Sequence, residues 1–396
     1  MAFATIGTKG ITDAAIATDD IADNAVTSGK IAGGVIPASR PNVSPLLMNC
    51  NMAVSQRNGT TATTIGSEAY SLDRWSFREI SNGSTTVQQT TTVPSGKGFA
   101  NSLKVAVTGA DTSIIGDNIV AIAQKLEGQD AQLLKFGTSD AQKITISFWV
   151  RSNVTGTYSA TLRHTNTSGT AYVNSLTFSI SSGDTWEQKV LVFNANTSQD
   201  IRNTNTEGIR LEIMLTVGSD YTSGGGANAN TWTTGNTNRA SASNVNILSS
   251  TSNTFYLTGV QLEVGEYTSD TLPPFQHESF GNNLQRCQRY FYLNNTVSAS
   301  MPFASGVVNG TTNSRAVMRH PQPMRAPPTM GRSDNTDFKV YCGSTNVDST
   351  NVAFYYPNNY QALLYVDVSS GLTNGQGCVI IDDSGGSAYI QGDAEL

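Results

Sequence analysis

Branched aliphatic residues recur at every fifth position at the start of the chain: Ile6, Ile11, Ile16, Ile21, Val26, Ile31 and Ile36, with small or polar residues between them. A period of five fits neither regular element. On a helix advancing about 100° per residue these side chains scatter around every face. On a strand an odd period sends alternate ones to opposite faces. One aliphatic per five residues is also too sparse to order a lone chain against a backbone entropy of roughly 1–2 kcal/mol per residue. The pattern predicts several copies wound together, each adding one aliphatic per layer to a shared axis. A disordered alanine-rich leader is the bland alternative, and the strict spacing stands against it. A single-chain pentapeptide solenoid is the other, and it needs roughly three coils where this run supplies fewer than two.

The period changes after Val35-Ile36-Pro37. From about Leu46 short apolar runs alternate with turn residues. Lys143–Val150 is the clearest, with Ile144, Ile146, Phe148 and Val150 on one face. Comparable runs are Ser102–Thr108, Tyr158–Arg163, Ser175–Ile180, Glu187–Phe193, Ile209–Val217 and Thr254–Glu263. Strands at this spacing with no helical segments between them predict an antiparallel β-sandwich of jelly-roll type. Trp75, Trp149 and Trp186 sit in or beside these runs and read as core. The stretch Ser219–Asn244 differs. It is long and polar, carries Gly224-Gly225-Gly226, and holds Trp232 and Tyr221. Loops of that length are usually functional or flexible. After Leu272-Pro273-Pro274 comes a helical segment, Gly281–Tyr290, and then strands at Ala316–Met318, Asp337–Tyr341, Val352–Tyr356, Gln361–Val368 and Cys378–Ile381. The expected fold is therefore mainly β: a stalk over 1–40, a sandwich over 41–272, and a junction helix with a smaller C-terminal β-sandwich over 273–396.

Composition narrows the class. Of 396 residues only 14% are charged, well below the usual quarter, which suits exposed β-structure with polar loops. A formal charge of −6 without Lys/Arg clusters argues against a nucleic-acid partner. No secretory leader follows Met1, and no apolar run reaches the ~18–20 residues of a membrane span. Cys50, Cys287, Cys342 and Cys378 are scattered with no CxxC pair, so neither zinc nor a disulfide framework is expected. They read as buried thiols of a chain made in a reducing cytoplasm.

A search for chemistry returns little. His164, His277 and His320 have no partner at metal-ligand spacing. Asp383-Ser384-Gly385-Gly386 superficially matches a serine-protease nucleophile segment, but Asp382 stands where a glycine is normal there and no upstream histidine has the right context. That tetrapeptide reads instead as a hairpin turn between Val379–Ile381 and Ala388–Ile390. The acidic pairs Asp19-Asp20 and Asp382-Asp383 point to opposite faces if on strands, and no ligand pattern singles out a calcium site. No catalytic residue, metal or cofactor is expected. Surface recognition remains. Trp232 with Tyr221 is one candidate; the other is the turn Phe354–Tyr360, with Tyr355, Tyr356, Tyr360, Asn358 and Asn359. Aromatic faces stack on sugar C–H groups while amides meet hydroxyls. Each of these aromatics can equally pack onto its own domain or a neighbouring subunit.

Several segments resemble bacteriophage tail-fibre and receptor-binding proteins. The most specific run is Thr254–Gly265 (TFYLTGVQLEVG), continuing into Pro274–Glu278 (PFQHE) and Leu284–Tyr292 (LQRCQRYFY). It is similar to the junction in such fibres between a carbohydrate-binding-module-like jelly roll and a C-terminal tip. Asn51–Gly59 (NMAVSQRNG), Tyr70–Trp75 (YSLDRW), Pro323–Pro328 (PMRAPP), Gly392–Leu396 (GDAEL) and the pentads extend the resemblance over most of the chain. It implies a non-enzymatic virion protein made in the host cytoplasm. It also implies a homotrimer with the pentad aliphatics on the axis, joined through its N-terminus to the phage tail or an adaptor protein, and meeting a host cell-surface glycan or envelope component. Such fibres often begin with a larger anchoring domain, whereas only Met1–Thr5 precede the first pentad. A capsid-mounted head fibre or decoration protein is therefore the nearest alternative, and a polysaccharide depolymerase the third.

Overall fold

The computed structural model describes residues 45–396 except Ile65 and Ser344. The pentad positions Ile6, Ile11, Ile16, Ile21, Val26, Ile31 and Ile36 lie outside the described residues. The described chain is mainly β and its sheets are antiparallel.

Two sheets share the larger core. One runs in the order β1 (Thr63–Thr64), β4 (Ser84–Thr90), β5 (Ser102–Gly109), β13 (Thr254–Val264), β7 (Ile144–Ser152), β10 (Glu187–Phe193). The other runs β12 (Thr233–Thr234), β9 (Ala171–Ile180), β8 (Gly156–Thr165), β11 (Glu207–Val217), β6 (Ile119–Glu127), β3 (Ser76–Ile80), β2 (Ala69–Tyr70). The chain repeatedly changes sheet, as at β5→β6, β6→β7 and β7→β8, the crossing a jelly roll requires. Period-two alternation drives this packing. Ile144, Ile146, Phe148 and Val150 all bury on one face of β7. Across the gap Phe178 meets Phe148 edge-on at 5.1 Å and stacks on Tyr158 at 5.5 Å. Each such side chain contributes roughly 1.5–3 kcal/mol by leaving water. Of the tryptophans read as core, Trp75 is, with its indole N–H on the Asn49 carbonyl at 3.0 Å. Trp149 and Trp186 are half-buried instead, on outward positions near Lys97 and Tyr256 respectively.

An α-helix, α1 (Phe280–Gln288), follows, capped by the Ser279 hydroxyl accepting from Asn282 N at 3.2 Å. The chain then builds a three-stranded sheet, β14 (Phe291–Asn295), β22 (Tyr389–Asp393), β17 (Thr329–Arg332), and a closed barrel. The barrel order is β15 (Pro302–Val308), β16 (Asn313–Arg319), β20 (Gln361–Val368), β19 (Thr345–Tyr355), β18 (Phe338–Cys342), β21 (Gly377–Asp382). This corrects the smaller sandwich expected from sequence. Pairing of β15 with β21 closes the sheet on itself around one core containing Phe338, Val340, Leu364, Val366 and Ile380. Closure removes the edges a second sheet would otherwise have to cover. The Asp-Ser-Gly-Gly turn is not a hairpin either. β21 belongs to the barrel and β22 to the three-stranded sheet, so the turn hands the chain from one to the other. Of the described residues, 45–266 and Phe275–Leu396 belong to one compact unit, and Tyr267–Pro274 does not.

Candidate recognition surface

The two aromatic candidates fare differently. The 219–244 segment lies along the second sheet of the sandwich and is tied down. Asn228 bonds Thr177, Asn230 bonds Asn174 and Asn194, and the Arg239 carbonyl accepts from Thr161 and Ser175. Beneath it Arg239 grips Glu212 in a buried two-pronged ion pair, with Nε at 3.2 Å. Tyr221 is buried with Arg239 5.1 Å from its ring centre. Trp232 is half-buried against the main core; its ring meets His164 at 4.8 Å and Phe136 at 5.4 Å, and its N–H donates to Asn194 O at 2.8 Å. Both rings are thus engaged in packing.

The turn joining β19 to β20 is the reverse case. Tyr355, Tyr356 and Tyr360 are 46%, 82% and 67% exposed. Its backbone is nonetheless firmly held. The Asn358 side-chain oxygen accepts from Tyr360 N at 2.9 Å and Gln361 N at 3.2 Å, and Asn358 N donates to Gln361 O. Asn359 Nδ2 donates to Met324 O at 2.9 Å, and Met324 N returns a bond to Asn359 O. From below, His320 Nε2 donates to Asn358 O at 2.9 Å while its Nδ1 accepts from the Tyr292 hydroxyl at 2.9 Å. That arrangement uses the neutral ring, and burial pushes the His320 pKa below its usual value. Sequence reasoning grouped Asn358 and Asn359 with the tyrosines as ligand contacts. The structure gives their side chains the task of bracing the turn.

Neighbouring strands extend this surface. Register places Val317 of β16 opposite Leu363 of β20, and Leu363 opposite Tyr355 of β19; Arg315 faces Tyr365 the same way. Val317 is 52% exposed, and Arg315 lies over the Tyr365 ring. Gln361, the residue after Tyr360, lines a cleft of about 640 Å³ together with the apolar Leu293, Phe303 and Val317 and the polar Gln288 and Arg319. A lining that mixes apolar side chains with amide and guanidinium donors can take a ring that has both C–H faces and hydroxyls. Nothing in the strand pattern announced this cleft, because Gln288–Asn294, Phe303, Val317–Pro321 and Gln361 come together only in the fold.

No ready chemistry emerges at the other sequence candidates. Ser384 Oγ donates to Asp382, whose carboxylate also accepts from Ser384 N and Gly386 N at 3.1 and 2.8 Å. The hydroxyl is committed to the turn. His164 is buried, stacked on Tyr172 and bonded to Asn196, and burial lowers its pKa to about 4. His277 lies among Phe99 and Phe275. Among the described residues no three His, Cys, Asp or Glu side chains are grouped to hold a metal ion, and no helix is long and apolar enough to cross a membrane.

Five of the segments quoted for that resemblance, 51–59, 70–75, 284–292, 323–328 and 392–396, supply contacts elsewhere, where the sandwich meets the barrel. Arg74, fully buried, pairs with Glu395, donates to Lys125 O, and lies 3.5 Å from the Tyr290 ring centre. Arg57 reaches Asp393 at 3.1 Å and covers the Phe291 ring at 3.6 Å. Glu127 takes both prongs of Arg289 at 2.8 and 2.9 Å and the Tyr290 hydroxyl at 2.6 Å. Gln56 links Asp73 to Phe291 O, and Arg325 donates to Ala394 O and Glu395 O. Gly392 is needed here: a Cβ on it would stand 2.4 Å from Tyr292.

No family model matches the sequence, and neither does any curated protein. Solved structures with some similarity include the enzymatically active domain of bacteriophage CBA120 tailspike protein 4, at 16% identity and TM-score 0.29, over 48% of this chain and only 19% of that one. Two others are carbohydrate-binding modules. The family 11 module of the Clostridium thermocellum cellulase Lic26A-Cel5E is 12% identical with a TM-score of 0.26, over 54% of this chain and 99% of that one. The CBM22-1 xylan-binding domain of Paenibacillus barcinonensis Xyn10C is 11% identical with a TM-score of 0.28, over 53% and 99%. At these scores the ligand has to be argued from the chain's own side chains.

Proposed function

We propose that this protein is a structural recognition component of a bacteriophage tail fibre, one that binds a glycan of the host bacterial surface and catalyses no reaction. The observation that carries the ligand is the trio Tyr355, Tyr356 and Tyr360, exposed on a turn that six neighbouring hydrogen bonds hold in place. Rings ordered before binding lose little entropy when a sugar stacks on them. The adjoining cleft supplies Gln288, Arg319 and Gln361 for hydroxyls. The pentads support a homotrimer, since only shared burial lets so sparse an apolar pattern order itself. On this reading the N-terminal region joins the phage tail or an adaptor protein, and the barrel meets the cell. Three copies of a weak site, each in the millimolar range of about −4 kcal/mol, then gain by avidity without new contacts.

The test is adsorption of purified protein to host cells and to their extracted surface polysaccharide. Tyr356→Ala with Tyr360→Ala should abolish adsorption while the protein stays folded, and Trp232→Ala should leave it intact if folding survives. Equal adsorption by the tyrosine variant and wild type refutes the site. Release of reducing ends from the polysaccharide refutes the non-catalytic assignment, a monomer by light scattering refutes the trimer, and immuno-electron microscopy locating the chain on the capsid replaces the tail fibre by a head fibre.

A further inference from the structure

Two of the scattered cysteines meet inside the barrel. β18 and β21 are antiparallel neighbours in the register Val340↔Ile380 and Tyr341↔Val379, so the next position sets Cys342 against Cys378. Residues directly opposite on paired strands point to the same face. Both side chains belong to the barrel core, at 3% and 5% exposure. Opposed positions of an antiparallel pair have Cα atoms about 4.5–5.5 Å apart, inside the ~4.4–6.8 Å a disulfide tolerates. The other two thiols have different partners: Cys50 donates to Met48 O and Cys287 to the Asn283 side chain.

We propose that Cys342 and Cys378 are a built redox staple, reduced in a reducing compartment and closed to a cross-strand disulfide by a low-molecular-weight disulfide such as oxidised glutathione. The Cys342 thiolate attacks one glutathione sulfur, forming a mixed disulfide and expelling a glutathione thiolate. The Cys378 thiolate then attacks the Cys342 sulfur and expels the second. Two protein thiols are oxidised, one small disulfide is reduced to two thiols, and the two protons pass to the departing thiolates. Cys342 is the first nucleophile because it ends β18 at a tight turn, with Gly343 at φ +56°, where a strand end opens locally most readily. Burial raises the pKa of both thiols, that of Cys378 to about 11, so few thiolates exist at neutral pH and closure is slow in the folded chain. The bond would tie the neighbouring barrel strands β18 and β21, which flank β19 and β20 in sequence, fastening the closed sheet.

Purified full-length protein, both as folded and after refolding, is held with oxidised glutathione at pH 8, then denatured, alkylated and mapped by mass spectrometry. The expected result is a 342–378 linked peptide with Cys50 and Cys287 alkylated, and a melting temperature raised by about 5 °C over the reduced form. Cys342→Ser and Cys378→Ser should each lose both the link and the oxidant-dependent shift. Absence of the link in both preparations, a link through Cys50 or Cys287, or a linked protein that melts below the reduced one overturns the proposal. Should a serine variant fail to fold, the wild-type peptide map and melting comparison still decide.

Discussion

The junction of sandwich and barrel and the tyrosine turn at β19–β20 are opposites in how they use polar and aromatic residues. At the junction Arg74 and Glu127 are buried, the Glu395 side chain is only 5% exposed, and aromatic rings such as Tyr290 and Phe291 are covered by guanidinium groups. At the turn the polar groups face inward to brace the backbone and the rings face solvent. The junction draws on five of the segments quoted for the phage-fibre resemblance, whereas the turn contains none of them. Residues that hold two bodies together are constrained by each other, so their pattern is recognisable. A surface that meets an outside partner is constrained only by that partner. The resemblance therefore speaks to architecture, and the ligand has to be read from exposure.

The largest effect should come from breaking the junction. Arg74→Met takes from Glu395 the nearer of its two guanidinium partners and leaves Arg57 at 3.5 Å, so the loss should approach, from below, the about 3–5 kcal/mol of a broken buried pair. Urea unfolding should show that loss, and adding Glu395→Leu should recover part of it because both charges then leave together. A loss below about 1 kcal/mol would mean that the pair is a surface-type contact. Next comes Trp232→Ala, which removes half-buried area against the core and the bond to Asn194, at about 2–3 kcal/mol. If that variant keeps full stability but loses adsorption, Trp232 belongs with the turn and the comparison fails.

How much of this was legible depends on where each residue's partners lie. β7 was readable because Ile144, Ile146, Phe148 and Val150 alternate locally. β6, central in the second sheet, was not: it is buried throughout yet contains Gln124, Lys125 and Glu127. Those polar residues are satisfied by Met48, Glu68 and Arg289, all distant in sequence. The barrel was mistaken for a sandwich for the same reason, because closure rests on the β15–β21 register and individual strands look alike in either fold. Tyr355, Tyr356 and Tyr360 stand out as candidates by composition alone, and their exposure is what the fold adds. The role of Asn358 and Asn359 was missed because Met324 and His320 approach them from another part of the barrel.

A smaller effect should distinguish the turn by pH. His320 has a folded pKa below that of the unfolded chain because burial disfavours the imidazolium. The unfolded chain therefore takes up the proton first as pH falls through about 6.5. The stability this ring lends is full above that pH and is lost as the pH drops toward the folded value. Protonated Nδ1 can no longer accept from the Tyr292 hydroxyl. Comparing urea curves at pH 7.5 and pH 5 should show a loss in wild type that exceeds the loss in His320→Gln. Equal losses would assign the acid sensitivity elsewhere.

The smallest stability effect should be that of the rings themselves. Tyr356 is 82% exposed and Tyr360 is 67% exposed, so truncating them returns little area to water. Exposed substitutions of this kind stay within about 0.5 kcal/mol. Tyr356 adds one qualification, since its φ of +52° is strained for any residue but glycine. Tyr356→Gly should therefore be neutral or slightly stabilising where Tyr356→Ala is neutral. A ring kept at a strained position that makes the fold no more stable is one retained for an external contact. Thermal melts of Tyr356→Gly, Tyr356→Ala and Tyr360→Ala, paired with adsorption, put this to the test. Adsorption lost at unchanged melting temperature marks a contact surface. A melting temperature that falls by several degrees for either alanine variant would instead make these rings part of the barrel's own packing, and the contrast with the junction would disappear.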